Sequence, residues 1–257
     1  MFSWRETGNR PLVVAHRGSS SLAPENTLAS FRQAIEDGAD AVELDVRLTR
    51  DGHVVVIHDR ELRRTTGNRG RVDSHTLKEI RALSAGTWFH RRFAAERIPT
   101  LDEVFELAAG KCGVDVEIKV DKGDPGGEEA VDRCCRVIRA HRARDWTLVT
   151  SFSRRAVRKA GSILPGIATG LLVHPLRHFI KPPVGLVRSL GALYVIVNGS
   201  GLRKNLVGAA HSRNILVGEY TVNSERRIER ARRFGIDALI TDEPSRVRRV
   251  MISPSWA

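Results

Sequence analysis

Short apolar runs alternate with amphipathic stretches along the whole chain. Nine runs rich in Val, Ile and Leu have the length of buried strands: 12–15, 41–46, 54–57, 114–118, 147–151, 167–172, 193–197, 215–220 and 237–240. Stretches with helical spacing lie between most of them: 26–37, 101–109, 127–142, 153–161, 183–190, 201–210, 224–233 and 243–250. Such alternation predicts a parallel sheet with right-handed helical crossovers.

One connection in this pattern is too short for a crossover. About seven residues separate the strands 41–46 and 54–57, and a parallel crossover needs about a dozen or more, so these two strands predict a hairpin. The other eight match the number that closes a (β/α)8 barrel of this length. We therefore predict an α/β fold, a single TIM-barrel domain over 1–257. The hairpin and a small insertion (about 47–100, with 60–100 as the inserted segment) would cover the carboxyl-end rim after strand two.

The turn of this hairpin has a strong sequence signal. Asp51-Gly52 is a typical two-residue hairpin loop. With that loop, Asp45 would lie opposite His58, with Cβ atoms about 4.5–5.5 Å apart. The sequence thus predicts a carboxylate and an imidazole side by side on one face of the hairpin.

Composition narrows the class of protein. There is no run of about 18 apolar residues, and the first residues are too polar for the centre of a secretory signal, so we expect a soluble, cytoplasmic protein. The cysteines, Cys112, Cys134 and Cys135, are odd in number and two are adjacent. This pattern suits neither a disulfide framework nor a usual zinc site, and it predicts small buried apolar side chains.

The net charge of +12 is unevenly distributed. Residues 1–120 contain 18 basic and 18 acidic side chains, residues 121–257 contain 24 and 12, and Asp145 is the only acid within 133–218. Such a basic face favours an anionic partner, namely nucleic acid, a lipid surface or a phosphorylated small molecule, unless it is a solvated Arg-rich surface. Aromatic residues make up only 5% of the chain and no nucleic-acid-binding motif occurs, so no nucleic acid is expected.

Chemically useful side chains occur at the ends of several predicted strands. In barrels of this type the active site lies at the carboxyl ends of the strands, and side chains two apart on one strand share a face. The polar residues at those ends are His16 and Arg17 after strand one, Glu43 and Asp45 on strand two, His58 after the return strand, and Glu117 and Lys119 on the next strand. We therefore predict that these four segments contribute their side chains to one shared site.

Three of these residues form a candidate metal site. Carboxylates without thiolates are hard oxygen ligands, which suit one divalent cation, Mg2+ or Ca2+, better than zinc. Glu43, Asp45 and Glu117 would be costly to bury together unless a cation or basic groups compensate them. The alternative is a plain ion network in which these acids pair with Arg17 and Lys119.

His16 and His58 are the candidate catalytic residues. Imidazoles exchange protons near neutral pH, so one can remove a proton from the nucleophile while the other protonates the leaving alcohol. Arg17 and Lys119 can neutralise phosphodiester oxygens, Arg by its planar fork and Lys as a point charge. Asn26 precedes a helical pattern and is therefore either a helix N-cap or a possible support of the site.

At these residues the sequence resembles the glycerophosphodiester phosphodiesterase family, within the barrel phosphodiesterases that include phosphatidylinositol-specific phospholipase C. The matching stretches are AHRG at 15–18, PENT at 24–27, ELDVRLTRDGHVVVIHD at 43–59, RIPTLDEV at 97–104, VEIK at 116–119, TSF at 150–152, TVN at 221–223 and ALITDEP at 238–244. They follow the family's order over nearly the whole chain, so the resemblance is specific.

The resemblance implies hydrolysis of a small glycerophosphodiester substrate to sn-glycerol 3-phosphate and an alcohol. Either a glycerol hydroxyl of the substrate, through a cyclic phosphate, or water directly can be the first nucleophile. The implied roles are a divalent metal held by Glu43, Asp45 and Glu117, acid/base catalysis by His16 and His58, and phosphate binding by Arg17 and Lys119.

Two positions depart from the family pattern. Tyr220 stands where the family usually has Trp before Thr-Val-Asn, which keeps an aromatic platform for the glycerol but changes its shape and polarity. The segment 174–190 is basic and apolar and matches no family motif, so it suits either an anionic membrane interface or a loop and an ordinary barrel helix. Two alternatives follow: a lysophospholipase D acting at a membrane surface, and a non-catalytic barrel that binds anions.

Overall fold

The predicted barrel is confirmed by a computed structural model, which describes residues 2–5, 10–120, 127–174 and 183–251. Its strands are β1 (Leu12–His16), β2 (Ala41–Leu48), β3 (Val54–Val56), β4 (Gly113–Ile118), β5 (Thr147–Ser151), β6 (Ala168–Val173), β7 (Tyr194–Asn198), β8 (Leu216–Tyr220) and β9 (Ala238–Thr241). All except β3 pair in parallel, and β1 pairs with both β9 and β2, so eight strands close into a barrel.

Helices follow the barrel strands and form the outer layer. Within the described residues the helices are α1 (Leu28–Glu36), α2 (Arg63–Thr66), α3 (Leu77–Arg81), α4 (Leu101–Ala108), α5 (Gly127–Ala140), α6 (Arg154–Ile163), α7 (Val184–Ser189), α8 (Lys204–His211), α9 (Glu225–Phe234) and α10 (Pro244–Met251). Of these, α2 and α3 belong to the segment between β3 and α4 and not to the outer layer. The apolar faces of the outer helices bury side chains such as Phe31, Phe105 and Val131 against the outside of the barrel. This burial is the main stabilising contribution.

The amino end of the barrel is closed by aromatic side chains that the sequence pattern does not predict. Trp4 is 1% exposed, and its ring packs edge-to-face against Tyr194 inside the barrel. The Tyr194 hydroxyl donates to the Trp4 carbonyl (3.0 Å), and the Trp4 indole N–H donates to the Trp146 carbonyl (3.1 Å). The opposite, carboxyl end is therefore the open end.

The β2–β3 hairpin confirms the predicted return strand but not its register. Val46 pairs with Val56, and the Ile57 N–H donates to the Asp45 carbonyl (2.9 Å). Asp45 therefore lies opposite Ile57. The predicted pairing of Asp45 with His58 is wrong by one residue.

The reason lies in the turn, which has three residues instead of two. A two-residue type I′ turn needs positive φ at both Asp51 and Gly52, and of these only Gly52 has it (79°). Asp51 instead accepts hydrogen bonds from the Thr49 hydroxyl (2.6 Å) and the Leu77 N–H (3.0 Å). The Thr49 N–H donates to the His53 carbonyl (3.0 Å), which closes a three-residue loop with a left-handed glycine.

The segment between β3 and α4 forms a small unit with its own apolar cluster. Its buried side chains include Ile57, Leu62, Val72, Ile80 and Ile98. The unit contacts the start of α1, where Glu96 accepts the Ala29 N–H (3.2 Å), and the loop before α1, where Arg92 donates to the Leu22 carbonyl (3.3 Å). The insertion thus lies beside the carboxyl-end rim, next to the loop that follows β1.

Candidate active site

Strand register brings the predicted site residues to the same height in the barrel. His16 on β1 pairs with Glu43 on β2, and Glu43 pairs with Asp115 on β4. One step nearer the rim, Asp45 pairs with Glu117. Because side chains alternate along a strand, all five can face the barrel interior or its open end.

A cavity of about 180 Å3 opens at this end of the barrel. One side is polar and is lined by the predicted residues His16, Arg17, Glu43, His58, Glu117 and Lys119. The other side is apolar and is lined by Phe152, Leu172, Ile196, Tyr220 and Ile240. The structure therefore brings both histidines, both basic residues and Tyr220 to one cavity, with an apolar wall that the sequence analysis did not anticipate.

The three acids predicted as metal ligands are buried and adjacent. Glu43, Asp45 and Glu117 each offer one oxygen, and these oxygens lie within 4.8 Å of one another. Arg17 Nε lies 3.1 Å from Asp45 Oδ2, and Lys119 Nζ lies 2.8 Å from Asp45 Oδ1 and 2.6 Å from Glu117 Oε1. An ion network is thus present, but it sets two basic side chains against three acids.

Burial and this imbalance together change the pKa values of the acids. Burial and the charge of Asp45 raise the pKa of Glu43 above its usual range. Burial also raises the pKa of Glu117, although Lys119 opposes it, whereas Lys119 and Arg17 overcome burial and hold the pKa of Asp45 far below its usual range. Additional positive charge would favour ionisation of all three carboxylates. Three hard oxygens at this spacing fit one divalent cation such as Mg2+ or Ca2+.

Asn26 lies in the site and does not cap the helix. Its side-chain amide donates to Asp45 Oδ2 (2.8 Å), while Thr27 is the N-cap of α1 and accepts the Ser30 N–H.

Ser30 also explains why the position after Arg17 must be glycine. Gly18 has a φ of +82°, and a Cβ there would lie 2.4 Å from Ser30 Oγ.

His16 is held by Asp242, a residue to which the sequence analysis gave no role. His16 Nδ1 lies 2.7 Å from Asp242 Oδ1. Asp242 is itself fixed by the Ser20 hydroxyl (2.9 Å) and the Asn223 side-chain amide (2.5 Å). The signal was available in the sequence, because closure of the barrel places the TDEP motif after β9 beside the end of β1.

His58 has a matching partner in the next residue. His58 Nδ1 lies 2.7 Å from Asp59 Oδ1, and Arg64 Nε lies 2.5 Å from Asp59 Oδ2. Arg47 Nε donates to the His58 carbonyl (2.8 Å), which fixes the backbone where it leaves β3. In both histidine–aspartate pairs Nδ1 is occupied, so Nε2 is the nitrogen available to the cavity.

The surroundings move the two histidine pKa values in opposite directions. Burial lowers the pKa of His16, but the Asp242 hydrogen bond and the charge of Glu43 outweigh it, and the net shift is upward. Burial also lowers the pKa of His58, Lys119 adds to this effect, and the charge of Asp45 does not restore it. His16 therefore holds a proton more readily than His58.

Asp115 is a further acid that the sequence analysis did not assign. It lines the cavity below Glu117 and accepts the Thr150 hydroxyl (2.8 Å). Burial raises the pKa of Asp115 to about 8. The spacing of two residues between Asp115 and Glu117 on one strand was the signal that could have revealed it.

Imidazoles that can exchange protons, next to groups that can neutralise a phosphate, suit the hydrolysis of phosphodiesters. The barrel carries them at the end where barrel enzymes have their active sites. Fold and site together define a barrel phosphodiesterase.

Comparison with known proteins places the chain within that class. It belongs to the glycerophosphoryl diester phosphodiesterase family, whose sequence profile matches residues 16–246. A glycerophosphodiester phosphodiesterase of Caldanaerobacter subterraneus subsp. tengcongensis is 37% identical over 243 residues, which cover 91% of this chain and 95% of that protein. The predicted family and enzyme class are thereby confirmed.

Solved structures agree with this assignment. A phosphodiesterase of Oleispira antarctica, in complex with the product sn-glycerol-3-phosphate, superposes with a TM-score of 0.88 and is 32% identical, covering 95% of this chain and 97% of that chain. A glycerophosphodiester phosphodiesterase of Thermotoga maritima has a TM-score of 0.78 and is 29% identical, covering 94% and 98%.

The basic and apolar segment 174–190, which suits either a membrane interface or a loop and a barrel helix, is only partly described, because the described residues omit 175–182. Its described end forms α7, which buries Val184 and Val187 against the barrel. Among the described residues, every helix is too short or too polar to cross a bilayer. Peripheral contact with an anionic membrane stays a prediction.

Proposed function

We propose that the protein hydrolyses glycerophosphodiesters to sn-glycerol 3-phosphate and an alcohol, with 1–257 acting as one domain and 60–100 as an insertion. The observation that carries this proposal is that His16, His58, Glu43 and Glu117 line one cavity, in a chain of this family. The Oleispira antarctica relative supports it, because its structure holds sn-glycerol-3-phosphate as product.

Glu43, Asp45 and Glu117 are the proposed ligands of one divalent cation, Mg2+ or Ca2+. Such a cation, when bound, supplies positive charge that stabilises the phosphate oxygens during reaction. The donor set supports this assignment, since all three groups are carboxylates, buried and within 4.8 Å of one another. Asn26 supports the site by holding Asp45 with a hydrogen bond of 2.8 Å.

The two histidines are proposed to divide the proton transfers. His58, whose pKa is lowered, accepts at Nε2 the proton of the nucleophile, water or a glycerol hydroxyl of the substrate, as the oxygen of that nucleophile forms a bond to phosphorus. His16, whose pKa is raised, donates its Nε2 proton to the leaving alcohol oxygen as the P–O bond breaks. A pair of groups with pKa values pushed apart is the usual arrangement for such a division.

The remaining residues of the cavity are proposed to bind the substrate. Arg17 and Lys119 can contact the phosphate oxygens, because both line the cavity beside the acids. Tyr220 is the proposed platform for the glycerol, and its neighbours Ile196 and Ile240 make that wall apolar. The glycerol carbons can pack on this wall while its hydroxyls face the polar side.

The test is release of sn-glycerol 3-phosphate from a panel of glycerophosphodiesters, with and without EDTA. We expect EDTA to abolish release and Mg2+ or Ca2+ to restore it. Glu117→Gln should weaken metal binding by roughly tenfold or more, as measured by calorimetry, whereas Asp145→Asn, on the exposed surface, should not. Full activity in excess EDTA would contradict the metal assignment, and no release from any diester would contradict the function.

A further inference from the structure

Arg64 connects two acidic residues that belong to different segments. Its Nε lies 2.5 Å from Asp59 Oδ2, and its two Nη atoms lie 2.7 Å from the two carboxylate oxygens of Glu25. Arg64 stands on α2 in the insertion, Glu25 in the loop after β1, and Asp59 after β3. One guanidinium therefore holds together three segments around the cavity.

Each of the two acids contacts a residue of the proposed catalytic site. Asp59 holds His58 at Nδ1 (2.7 Å), and Glu25 accepts from Arg17 Nη1 (2.9 Å). The series from His58 through Asp59, Arg64 and Glu25 to Arg17 is continuous. It joins the imidazole that would accept a proton to the guanidinium that would bind phosphate.

The arrangement of the three central groups favours arginine over lysine at position 64. The side chain of Glu25 is 13% exposed and that of Asp59 is 27% exposed, so two partly buried negative charges need a common cation. The planar fork of Arg64 contacts both at once, whereas the ammonium of a lysine is a single point charge. Hydrogen bonds from Arg64 hold the pKa of both acids below their usual range, although burial opposes them.

We infer that Arg64 is a positioning residue that sets the orientation of His58 and of Arg17 together. The inference rests on the proposed function. Residues that orient metal ligands typically contribute about 10–100-fold to affinity or activity, and we expect an effect of similar size for a residue that orients His58 and Arg17. Because Arg64 acts on two residues with different roles, its loss should lower kcat through His58 and raise KM through Arg17.

A competing explanation is that Arg64 only fastens the insertion to the rest of the barrel. Ion pairs of this exposure contribute about 0–1 kcal/mol to stability. A purely structural contact would change the unfolding temperature and leave kcat and KM of the folded enzyme unchanged. Kinetic constants below the unfolding transition therefore separate the two explanations.

The experiment compares Arg64→Met and Arg64→Lys with a matched control, Arg63→Met. Arg63 is the preceding residue on α2, is exposed, and takes no part in the series. Kinetic constants are measured for a glycerophosphodiester at a saturating concentration of whichever cation, Mg2+ or Ca2+, restores activity after EDTA, together with unfolding temperatures. Three further variants test whether Arg64 acts through these two acids. They are Asp59→Asn, Glu25→Gln and the triple variant that combines both with Arg64→Met.

We expect Arg64→Met to lower kcat/KM by about tenfold or more, Arg64→Lys to restore part of the loss, and Arg63→Met to match the wild type. Asp59→Asn should mainly lower kcat and Glu25→Gln mainly raise KM. In an enzyme that already carries Asp59→Asn and Glu25→Gln, adding Arg64→Met should lower kcat/KM by less than about a further threefold.

A folded Arg64→Met enzyme with unchanged kcat and KM would overturn the inference while the proposed function stands. The same holds if the loss of kcat/KM in Arg64→Met is fully additive to the losses in Asp59→Asn and Glu25→Gln. If Arg64→Met does not fold, an Arg64→Lys enzyme with wild-type kcat and KM would overturn the inference in its place. A wild-type enzyme that releases no sn-glycerol 3-phosphate would overturn the proposed function, and the inference with it.

Discussion

At the scale of single residues, His16 depends on Asp242 for its orientation and its charge. Asp242→Asn removes a negative charge and replaces a carboxylate acceptor with a weaker amide oxygen, and both the charge and the hydrogen bond raise the pKa of His16 against burial. The pKa of His16 should therefore fall. Since His16 is proposed to act protonated, the alkaline limb of the kcat/KM–pH profile should move to lower pH, and kcat should fall by roughly 100-fold.

The control for this change is Asp102→Asn. Asp102 also pairs with a histidine, His141, whose Nε2 lies 2.9 Å from Asp102 Oδ1, but it stands on α4, away from the cavity. Asp102→Asn should leave the kcat/KM–pH profile unchanged. An Asp242→Asn enzyme whose alkaline limb stays in place would remove His16 from the proton-donating role.

Sequence reasoning found the residues that face the cavity more readily than those that hold them. His16, Glu43 and Glu117 follow from their positions on strands, because alternation and strand ends are local properties. Asp242 and Arg64 depend on which distant segments meet. Strand order supplies that information for Asp242, but α2 has only four residues and no periodic pattern that could place Arg64.

At the scale of elements, the β2–β3 turn is fixed by the side chain of Thr49. Its hydroxyl accepts the His53 N–H (2.9 Å) and donates to Asp51 (2.6 Å), and the residue is 4% exposed. Thr49→Val leaves the His53 N–H without this acceptor and removes one hydrogen bond to Asp51, so it should lower the free energy of unfolding by about 1–3 kcal/mol. Urea unfolding measures this, with exposed Thr87→Val as the control, and equal midpoints would show that the turn does not depend on Thr49.

The same turn shows where a strong sequence signal fails. Asp51-Gly52 predicted the hairpin correctly, because the short connection and the glycine both require it. The register was wrong because Thr49 and Leu77 engage Asp51, and Leu77 belongs to the insertion. Barrel strands and helices are easier to predict, since their burial imposes a regular spacing over many residues.

At the scale of the whole molecule, closure of the barrel follows from the number of strands, but the way its amino end is sealed does not. Counting eight parallel strands was sufficient to predict a barrel with its site at the carboxyl end. The aromatic seal is formed by Phe2 and Trp4, which lie outside every strand and helix. The Phe2 ring lies so close to Gly113 that a Cβ there would be 2.3 Å away. A pair of aromatic residues in a polar stretch carries no periodic signal.

Trp4 should therefore stabilise the barrel without contributing to catalysis. Its ring is 1% exposed and contacts Phe2 and Tyr194 edge-to-face, with centroid distances of 5.1 and 6.0 Å. Trp4→Ala leaves a cavity and should cost about 3–5 kcal/mol, which for a chain of this length lowers the unfolding temperature by roughly 10 °C. Trp88→Ala, at a residue that is 42% exposed, should lower the unfolding temperature far less.

Below the unfolding transition, kcat and KM of Trp4→Ala should match the wild type, because the seal and the cavity lie at opposite ends of the barrel. A loss of turnover in the folded variant would show that the two ends are coupled through the barrel interior.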